Sequence, residues 1–442
     1  MPTRTPIVAA LLLPTLAFGQ PAAVRLTEKF DDSLPYRVEL KTTMAGKLSV
    51  PASEKGKPAE VVSVVGNSHF VYDERPLPMD ENRAARAIRA YRTVEVNRTV
   101  GDREQKADLR AAVRRMVVLR SDKGKKAPFS PDGPLTLNEI DVVRNDVFPV
   151  VLVPGLLPTR AVKPGDRWTA STAAVTDLTD LDAIDEGGLT VEFVSVVAIG
   201  NRRHAKLKVG GTVKGQNDDG PTRQKLDGTA YFDLEAERLS YLKLTGTHEL
   251  IGKDGKVAGR LEGTFTLTRS ASPKFDDLAA EAVKGLELSP TPDNSLLLYT
   301  NPELGVQFLY PRRWRLGLVR GRQIALEEPT GGGILLTVEP STRVPTADQY
   351  LREVRASLVK DRTAARLTDA PKRVSDRPVR LDRFGFDAEV DRKPVRLEYG
   401  IAATADGGVL LAAKLPAGEK ELRADVERVL KRLTVTKKID GK

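Results

Sequence analysis

The sequence contains no cysteine and only three histidines among its 442 residues. Disulfide frameworks, cysteine-ligated zinc or iron–sulfur sites, thiol nucleophiles and cysteine-borne lipid anchors all require sulfur, so the composition excludes each of them. Aromatic residues make up only 5% of the chain, and the apolar run near the N-terminus is shorter than the ~20 residues that a membrane span needs. We therefore expect a chain without thiol chemistry that is not an integral membrane protein.

The histidines give little support for acid–base or metal chemistry. Ser68 and His69 are adjacent, but neighbouring residues on a strand point to opposite faces, so His69 cannot easily activate Ser68. His248 and Glu249 begin like a zinc-protease motif but lack the second histidine and lie on a predicted strand. His204 alternates with lysines on a predicted solvent face. We predict no catalytic residue, no metal site and no cofactor, and hence a protein that is not an enzyme.

Acidic residues are abundant and leave two roles open, hydrolysis by paired carboxyl groups and calcium binding by one loop. A pair of carboxyl groups could hydrolyse a glycosidic bond if one of them were desolvated, which keeps a carboxylate-dependent hydrolase as an alternative function. One loop concentrates carboxylates at Asp177, Asp180, Asp182, Asp185 and Glu186. Their oxygens suit calcium, but the spacing fits no EF-hand loop. Asp177 and Asp180 could equally cap a helical turn, so the sequence does not decide whether the loop binds calcium.

The N-terminal residues have the layout of a secretory signal peptide. Arg4 supplies a positive charge, an apolar stretch runs from Ile7 to Phe18, and the small residues Ala17 and Gly19 precede a cleavage position. A transmembrane anchor is the competing interpretation, but the stretch is short for a span and contains a proline. We predict that residues 1–19 are a signal peptide and that the mature, soluble protein is exported to the periplasm or the outside of the cell.

The chain carries 70 Lys and Arg against 60 Asp and Glu, a formal net charge of +10 at pH 7. For an exported chain this balance suits an acidic envelope polymer or an envelope protein, and no nucleic-acid partner is expected. One basic cluster surrounds Trp314. We predict a patch for a polyanion or a partner at Arg312, Arg313, Arg315, Arg320 and Arg322. The competing interpretation is a solvated charged surface.

Up to about Ser270 the dominant hydrophobic period is two, which is typical of antiparallel strands with one wet face. Long strands separated by Gly and Asn turns predict a meander over about 188–268. A strongly bent sheet must cover its apolar face with something, and short helices interrupt the strand pattern. The sequence therefore predicts a bent antiparallel sheet, or half-barrel, with one or two short helices over residues 20–270.

Several shorter patterns add local predictions within this region. A hairpin is predicted at Gly66 to Ser68, between two strand-like runs. The stretch from Asp80 to Tyr91 has helical spacing, with Arg89 on its solvated face. Prolines interrupt Val150 to Leu157, which predicts a crossing loop or an edge strand. Thr136 and Glu139 have the spacing of a capping box at the start of a helix.

The C-terminal third has a different composition and pattern. Residues 271–295 are rich in Pro, Ser and Asp and predict a linker. Residues 296–437 mix alternating strands with two amphipathic helices, the first opened by a Thr346–Gln349 capping box. A sheet with two covering helices is an α/β/α sandwich with an antiparallel sheet, so the fold class predicted for the whole chain is α+β.

The segment from Tyr299 to Trp314 resembles the opening of PsbP-like domains, which have an alternating strand ending in Tyr-Pro and a tryptophan soon after. Here Tyr310 and Pro311 end the strand. The later order of helix, three strands and closing helix is also similar to that superfamily. The resemblance implies an α/β/α sandwich over residues 296–437. It implies no activity, because the superfamily's members have unrelated functions.

The first region resembles secreted half-barrel proteins of the LolA-like lipoprotein-carrier type, through the turn Pro164 to Trp168 and the long meander. The two-domain layout is similar to exported proteins of planctomycete-type bacteria. A half-barrel has a concave apolar face, which implies a lipid or other amphiphile as partner. We expect a non-catalytic binding or envelope-associated protein. Docking of a protein or polyanion through the basic C-terminal domain is an alternative.

Overall fold

The computed structural model describes residues 23–439, apart from 32–34, 51–58, 79–84, 121–126, 145, 218–219, 253, 272–275 and 376–378. The predicted signal peptide lies outside the described residues. Within them antiparallel strands dominate over short helices, which agrees with the α+β class. None of the helices in these ranges has both the length and the apolar character of a membrane span.

The strands are β1 (Tyr36–Val50), β2 (Glu60–Leu77), β3 (Arg86–Val100), β4 (Arg103–Ala107), β5 (Arg115–Leu119), β6 (Arg167–Thr169), β7 (Ala183–Ile199), β8 (Arg202–Asn217), β9 (Gly220–Asp233), β10 (Arg238–Ile251), β11 (Val257–Ala271), β12 (Leu297–Asn301), β13 (Val306–Tyr310), β14 (Arg315–Arg320), β15 (Gln323–Glu327), β16 (Gly333–Glu339), β17 (Ala364–Ser375), β18 (Arg380–Val390), β19 (Lys393–Thr404), β20 (Gly407–Pro416) and β21 (Thr434–Val435). The α-helices are α1 (Leu137–Arg144), α2 (Pro149–Leu156), α3 (Thr172–Thr179), α4 (Ala280–Val283), α5 (Ala347–Lys360) and α6 (Lys420–Lys431).

The chain divides into two compact units, each built from segments that are distant in sequence. The first unit comprises Met1–Lys29, Met44–Val62 and Val151–Arg269, and the second comprises Phe30–Thr43, Ser63–Val150 and Ser270–Lys442. These units are defined by contacts and not by independent folding. The domain boundaries expected from the sequence therefore stay a prediction.

The first unit contains the long meander. Its strands pair in the order β1-β11-β10-β9-β8-β7-β6, where β1 takes part from Met44 onwards. From β7 to β11 each strand pairs antiparallel with its sequence neighbour, so the predicted meander is confirmed. The turns place Gly200 and Gly255 at φ of 59° and 77°, a region that glycine enters without steric cost. Short turns of this kind fix the register of the paired strands.

The second unit contains three groups of strands. In the first group the order is β4-β3-β2-β1, with β1 taking part up to Thr43 and β5 also pairing with β3. A small sheet has the order β12-β13-β21, and a seven-stranded sheet has the order β14-β15-β16-β20-β19-β18-β17. Neighbouring strands pair antiparallel in both of these sheets.

Helices cover both faces of the seven-stranded sheet. Val354 of α5 packs in a buried cluster with Phe384 and Leu397. On the same strand as Leu397, a Cβ atom placed on Gly400 would lie 2.9 Å from the Leu430 side chain of α6. Residues separated by an odd number of positions on a strand point to opposite faces. Helices α5 and α6 therefore lie on opposite sides of the sheet.

Three local predictions are wrong, because strand pairing and burial override local pattern. The stretch predicted as a helix from Asp80 is strand β3 from Arg86 onwards, and Arg89 is fully buried instead of solvated. Residues Gly66 to Ser68 lie within strand β2 and not in a hairpin. The segment predicted as a loop or edge strand, Val150 to Leu157, is mostly helix α2. Helix α2 begins with Pro149, whose fixed φ suits the first helical position.

Both predicted capping boxes are confirmed. Thr346 Oγ1 accepts a hydrogen bond from the Gln349 amide at 3.2 Å, and the Gln349 side chain accepts one from the Thr346 amide at 2.8 Å. Thr136 and Glu139 make the same pair of bonds at 3.2 and 2.8 Å. Burial opposes the charge on Glu139, but hydrogen bonds from Arg110 and from backbone amides outweigh it and lower the pKa of Glu139 below its usual range.

The region expected to be a linker contributes to the core of the second unit. Its described part contains a turn of helix at Asp276–Leu278 and helix α4. Leu278 is fully buried in a cluster with Ile88 and Phe129. Arg75 Nη1 donates a hydrogen bond to the Leu278 carbonyl at 3.0 Å. This stretch is therefore packed against the strands of its own unit.

A fully buried arginine lies at the centre of the β1–β3 group. Arg89 Nε donates to Glu74 Oε2 at 2.5 Å, and its Nη1 donates to Asp146 Oδ2 at 2.7 Å and to the Tyr91 hydroxyl at 3.1 Å. Arg89 Nη2 donates to the Val147 carbonyl at 3.0 Å. The side chains of Arg89, Glu74 and Asp146 are all 0% exposed. We call these residues the Arg89 cluster.

Aromatic rings enclose the guanidinium of the Arg89 cluster. The Arg89 Cζ atom lies 4.4 Å from the ring centre of Tyr72 and 5.4 Å from that of Phe148. Burial opposes the charge on Arg89, but the carboxylates of Asp146 and Glu74 outweigh it and raise the pKa of Arg89 well above its usual range. Burial also raises the pKa of Tyr72 and of Tyr91 well above 10. The arginine is therefore charged and the two phenols are neutral at neutral pH.

We expect Arg89→Leu to lower the free energy of unfolding by about 3–5 kcal/mol, because it leaves two carboxylates buried without their cation. Arg98→Leu on the same strand is the matched control, since Arg98 is exposed. That change should stay within about 0.5 kcal/mol. Urea unfolding followed by tryptophan fluorescence measures both. A loss below about 1 kcal/mol for Arg89→Leu would contradict a stabilising cluster.

Because its pKa is lowered, Glu139 stabilises the folded protein over a defined pH range. Its ionised form stabilises the fold above the usual glutamate pKa of about 4.3, and this stabilisation is lost as the pH falls through the lowered folded-state value. We expect Glu139→Gln to reduce the free energy of unfolding by about 1–3 kcal/mol at pH 7 and by less at pH 3. Urea titrations at both pH values test this. An equal loss at both would show that the charge of Glu139 is not involved.

Candidate functional site

One face of the meander in the first unit is apolar, and helix α3 with the residues that follow it covers part of this face. Leu189, Val191 and Phe193 of β7 are fully buried on it. Gln224 Nε2 donates to the Thr179 carbonyl at the end of α3, at 2.7 Å. We call this face of the sheet the inner face. Over β7, β8 and β9 it is occupied by the protein's own side chains.

The strand register shows how the inner face continues beyond the helix. Leu244 of β10 lies opposite Phe265 of β11, and His248 lies opposite Leu261. On the other side of β10, Gly246 lies opposite Leu226 of β9. Residues directly opposite each other in an antiparallel pair point to the same face. The inner face therefore extends without interruption from the helix-covered strands to β10 and β11.

Burial changes along this inner face. Leu244 is 3% exposed, whereas the next apolar side chains are only half-buried. Those half-buried side chains are Leu48, Leu226, Leu250, Leu261 and Phe265, which we call the inner strip. Gly246 and Gly263 face each other in the middle of the strip and present no side chain. The strip thus continues the apolar core into partial exposure.

Glycines on this sheet allow the strands to approach more closely than other residues permit. A Cβ atom on Gly228 would lie 1.9 Å from the Lys243 carbonyl oxygen, and one on Gly46 would lie 2.0 Å from the Arg260 carbonyl oxygen. Real Cβ atoms do not approach backbone atoms so closely. Glycine at such positions is a device by which sheets bend. The sequence signal was present as glycines within strand-like runs, although it was interpreted only at the turns.

The predicted acidic loop is divided between helix α3, strand β7 and the short connection that contains Asp182. Asp177 is buried within α3, and Asp180 ends that helix in the left-handed conformation at φ 52°. Asp185 and Glu186 lie on β7. Asp180 is therefore the C-terminal cap of α3, whereas Asp177 lies inside the helix, so the expected turn capped by both residues is not formed. Among the described residues, no group of three or more His, Asp or Glu side chains is placed to hold a metal ion.

The first two arginines of the predicted patch are engaged within the second unit. Arg312 donates to the Ser295 carbonyl at 2.8 Å and to the Pro128 carbonyl at 2.5 Å. Burial, together with the charge of a neighbouring arginine, lowers the pKa of Arg312 to about 10. Arg313 donates to Asp425 at 2.5 Å, and this hydrogen bond raises the pKa of Arg313 above its usual range. These two side chains join segments of their own unit.

The other three arginines lie along one edge of the seven-stranded sheet. Strand β14 is the edge strand, and all of its residues are exposed, including Arg315 and Arg320. Arg322 follows in the turn to β15 and is half-buried. The exposed apolar side chains Leu318 and Val319 lie between the arginines of this strand. A binding role for the five arginines stays a prediction.

The Arg89 cluster is the constellation that the sequence did not reveal. Its carboxylates and cation come from strands β2 and β3 and from the segment before α2, so no local motif joins them. Each of the two buried carboxylates, Glu74 and Asp146, accepts a hydrogen bond from Arg89. One signal was available: Arg89 lies between the apolar residues Ile88 and Ala90 of a strand-forming run.

The three histidines lie on strands, and His204 is buried instead of solvated as the sequence predicted. His69 Nε2 is 3.0 Å from Glu39 Oε1, and Ser68 pairs with Val96 across the strands. His204 is buried, with its Nδ1 atom 3.2 Å from the Arg202 carbonyl. His248 lies on the inner face. The structure brings none of the described serines into a hydrogen bond with His69 or His204.

Comparison with known proteins gives weak resemblances in fold. No family model and no curated protein matches the chain. Cyanobacterial PsbP from Synechocystis sp. PCC 6803 is 15% identical, with a TM-score of 0.27, over 32% of this chain and 92% of its own. A structure of lipovitellin, described for its lipid–protein interactions, is 10% identical, with a TM-score of 0.33, over 56% of this chain and 26% of its own. At TM-scores this low neither match decides the fold, so the PsbP-like and LolA-like resemblances stay predictions.

We expect Gly228→Ala to lower the free energy of unfolding by about 1–3 kcal/mol, because the new methyl group collides with the Lys243 carbonyl. Gly188→Ala is the matched control in the same sheet, since a Cβ there would meet only Thr169 at 3.9 Å. The control should cost no more than about 0.5 kcal/mol. Denaturant unfolding measures both. Equal stability of the two variants would mean that strand contact at Gly228 does not require glycine.

Proposed function

We propose that the protein is an exported, non-catalytic binding protein that holds a lipid or other amphiphile on the bent sheet of its first unit. The sheet acts as a half-barrel, and the acyl part of the ligand lies along the inner strip. The observation that carries this proposal is the change from full to partial burial along one continuous apolar face. Contiguous exposed apolar surface is costly in water and marks binding sites.

The geometry of the inner strip suits a chain-like apolar ligand. Phe265 and Leu261 flank Gly263 along β11, two residues to either side of it, and Leu226 of β9 lies beside Gly246. The Leu226 side chain lies over Gly246, so the acyl chain of the ligand packs on Leu226, Leu261 and Phe265. His248 lies beside Leu261 and provides a polar boundary for a headgroup. Export of the mature chain, inferred from residues 1–19, would place the inner strip in contact with envelope lipids.

Docking through the C-terminal region is the second candidate. It is favoured by strand β14, an exposed sheet edge that carries Leu318 and Val319 between arginines. Exposed edges pair readily with another chain, and arginines would select an acidic partner. In this version the C-terminal region, proposed to be a PsbP-like α/β/α sandwich, attaches the protein to an envelope component.

One experiment tests the proposal. The full chain with its own leader is expressed in a Gram-negative host, and the periplasmic fraction is analysed by intact mass and by lipid mass spectrometry. We expect a mature chain that begins at Gln20 and a co-purifying amphiphile.

Binding of a fluorescent anthroyloxy-stearate to the purified protein should weaken at least ~10-fold in Phe265→Asp, since a charge then faces the acyl chain. Thr266→Asp, on the opposite face of the same strand, should change it by less than about 2-fold.

The outcomes separate the candidates. A chain that retains its leader in the cytosol would overturn the export part. A mature protein that binds no probe and carries no amphiphile would overturn the carrier part. Retention in the envelope pellet, reversed by high salt, would favour docking through the basic edge, because screening weakens ionic contacts. Equal effects of Phe265→Asp and Thr266→Asp would remove the inner strip as the binding surface.

A further inference from the structure

The opposite face of the meander, which we call the outer face, carries a row of polar and aromatic side chains. Lys206 of β8 lies opposite Tyr231 of β9, which lies opposite Tyr241 of β10. Tyr241 in turn lies opposite Thr268 of β11. The two tyrosine rings have centroids 5.9 Å apart and are tilted by 44°. They form an aromatic pair in the middle of the sheet.

A second row of cationic and hydroxyl side chains lies next to this pair. Lys208, Thr229 and Lys243 occupy adjacent positions on β8, β9 and β10. Both lysines are exposed. Asp227, two residues before Thr229 on β9, begins the next row. The aromatic pair therefore has Lys206 in its own row and two lysines and a threonine in the next row, and the Asp227 carboxylate lies one row further along.

The surface at these rows is concave. A depression of about 610 Å³ is lined by Tyr231, Tyr241, Thr229, Ser240, Lys243 and Asp227. This volume lies in the range of sites that bind small ligands, about 300–1,000 Å³. The tyrosines are half-buried, and Thr229, Ser240 and Asp227, which line the same depression, can donate or accept hydrogen bonds. The depression thus combines aromatic surface, hydroxyl groups and positive charge.

We propose that the outer-face depression binds an acidic oligosaccharide. Sugar rings present apolar C–H faces that pack on aromatic rings, and their hydroxyl groups exchange hydrogen bonds with threonine, serine and carboxylate side chains. The lysines at positions 206, 208 and 243 pair with the carboxylate groups of the sugar. This inference goes beyond the proposed amphiphile carrier, because it concerns the opposite face of the sheet and a different ligand chemistry.

The test uses the mature full chain and an oligogalacturonate as the probe. The methyl ester of the same oligosaccharide is the uncharged control ligand. Isothermal titration calorimetry should show binding of the acid and at least ~10-fold weaker binding of the ester. Tyr241→Ala and Lys243→Ala should each weaken binding of the acid at least ~10-fold. Lys243 is exposed, so its variant tests the site without disturbing the core. Phe265→Asp on the inner face should leave this binding unchanged.

Lys225→Ala is the matched control for general charge attraction. Lys225 is an exposed lysine on the same strand and face, six residues and about 20 Å from Tyr231. Its loss should change binding by less than about 2-fold. An equal effect of Lys225→Ala and Lys243→Ala would show non-specific adsorption of a polyanion and overturn the proposal. Absence of binding at millimolar oligogalacturonate, or unchanged binding by Tyr241→Ala, would overturn it as well.

Discussion

The second unit depends on one cation that is removed completely from water. Transfer of a guanidinium into a protein interior is strongly unfavourable unless ion pairs and hydrogen bonds replace its hydration. Arg89 satisfies this condition through Glu74, Asp146 and a backbone carbonyl, and its partners belong to separate segments of the chain. Each segment must therefore be in place before the cation is stable. An apolar core of the same volume would tolerate small displacements, whereas this network fixes how the segments meet.

In the first unit the controlling feature is the alternation of side chains along long antiparallel strands. Because successive residues point to opposite faces, one sheet presents two chemically different surfaces. The inner face is apolar and partly filled by the residues of and after α3, and the outer face carries Tyr231, Tyr241 and lysines. Glycines such as Gly228 let neighbouring strands come closer than a residue with a Cβ atom would allow. Both proposed ligand surfaces thus arise from the same strand periodicity.

Patterns with a local physical cause were predicted well. The meander follows from period-two alternation and turn residues, and the capping boxes follow from side-chain bonds between residues three positions apart. The failures share a different cause. The stretch around Arg89 has helical spacing but pairs as a strand, and the apolar run before Pro154 is short enough to be either strand or helix. In both cases neighbours that are distant in sequence decided between two locally acceptable conformations.

The sequence by itself determined the absence of thiol chemistry, the α+β class, the repeated antiparallel strands and the positions of the main turns, because composition, periodicity and turn chemistry act over a few residues. Only the tertiary structure decided which side chains meet. It buried Arg89 among carboxylates, engaged Arg312 and Arg313 within their own unit, and left the inner strip half-buried. Such outcomes depend on the free energy of burial and pairing between distant segments, which no local pattern encodes.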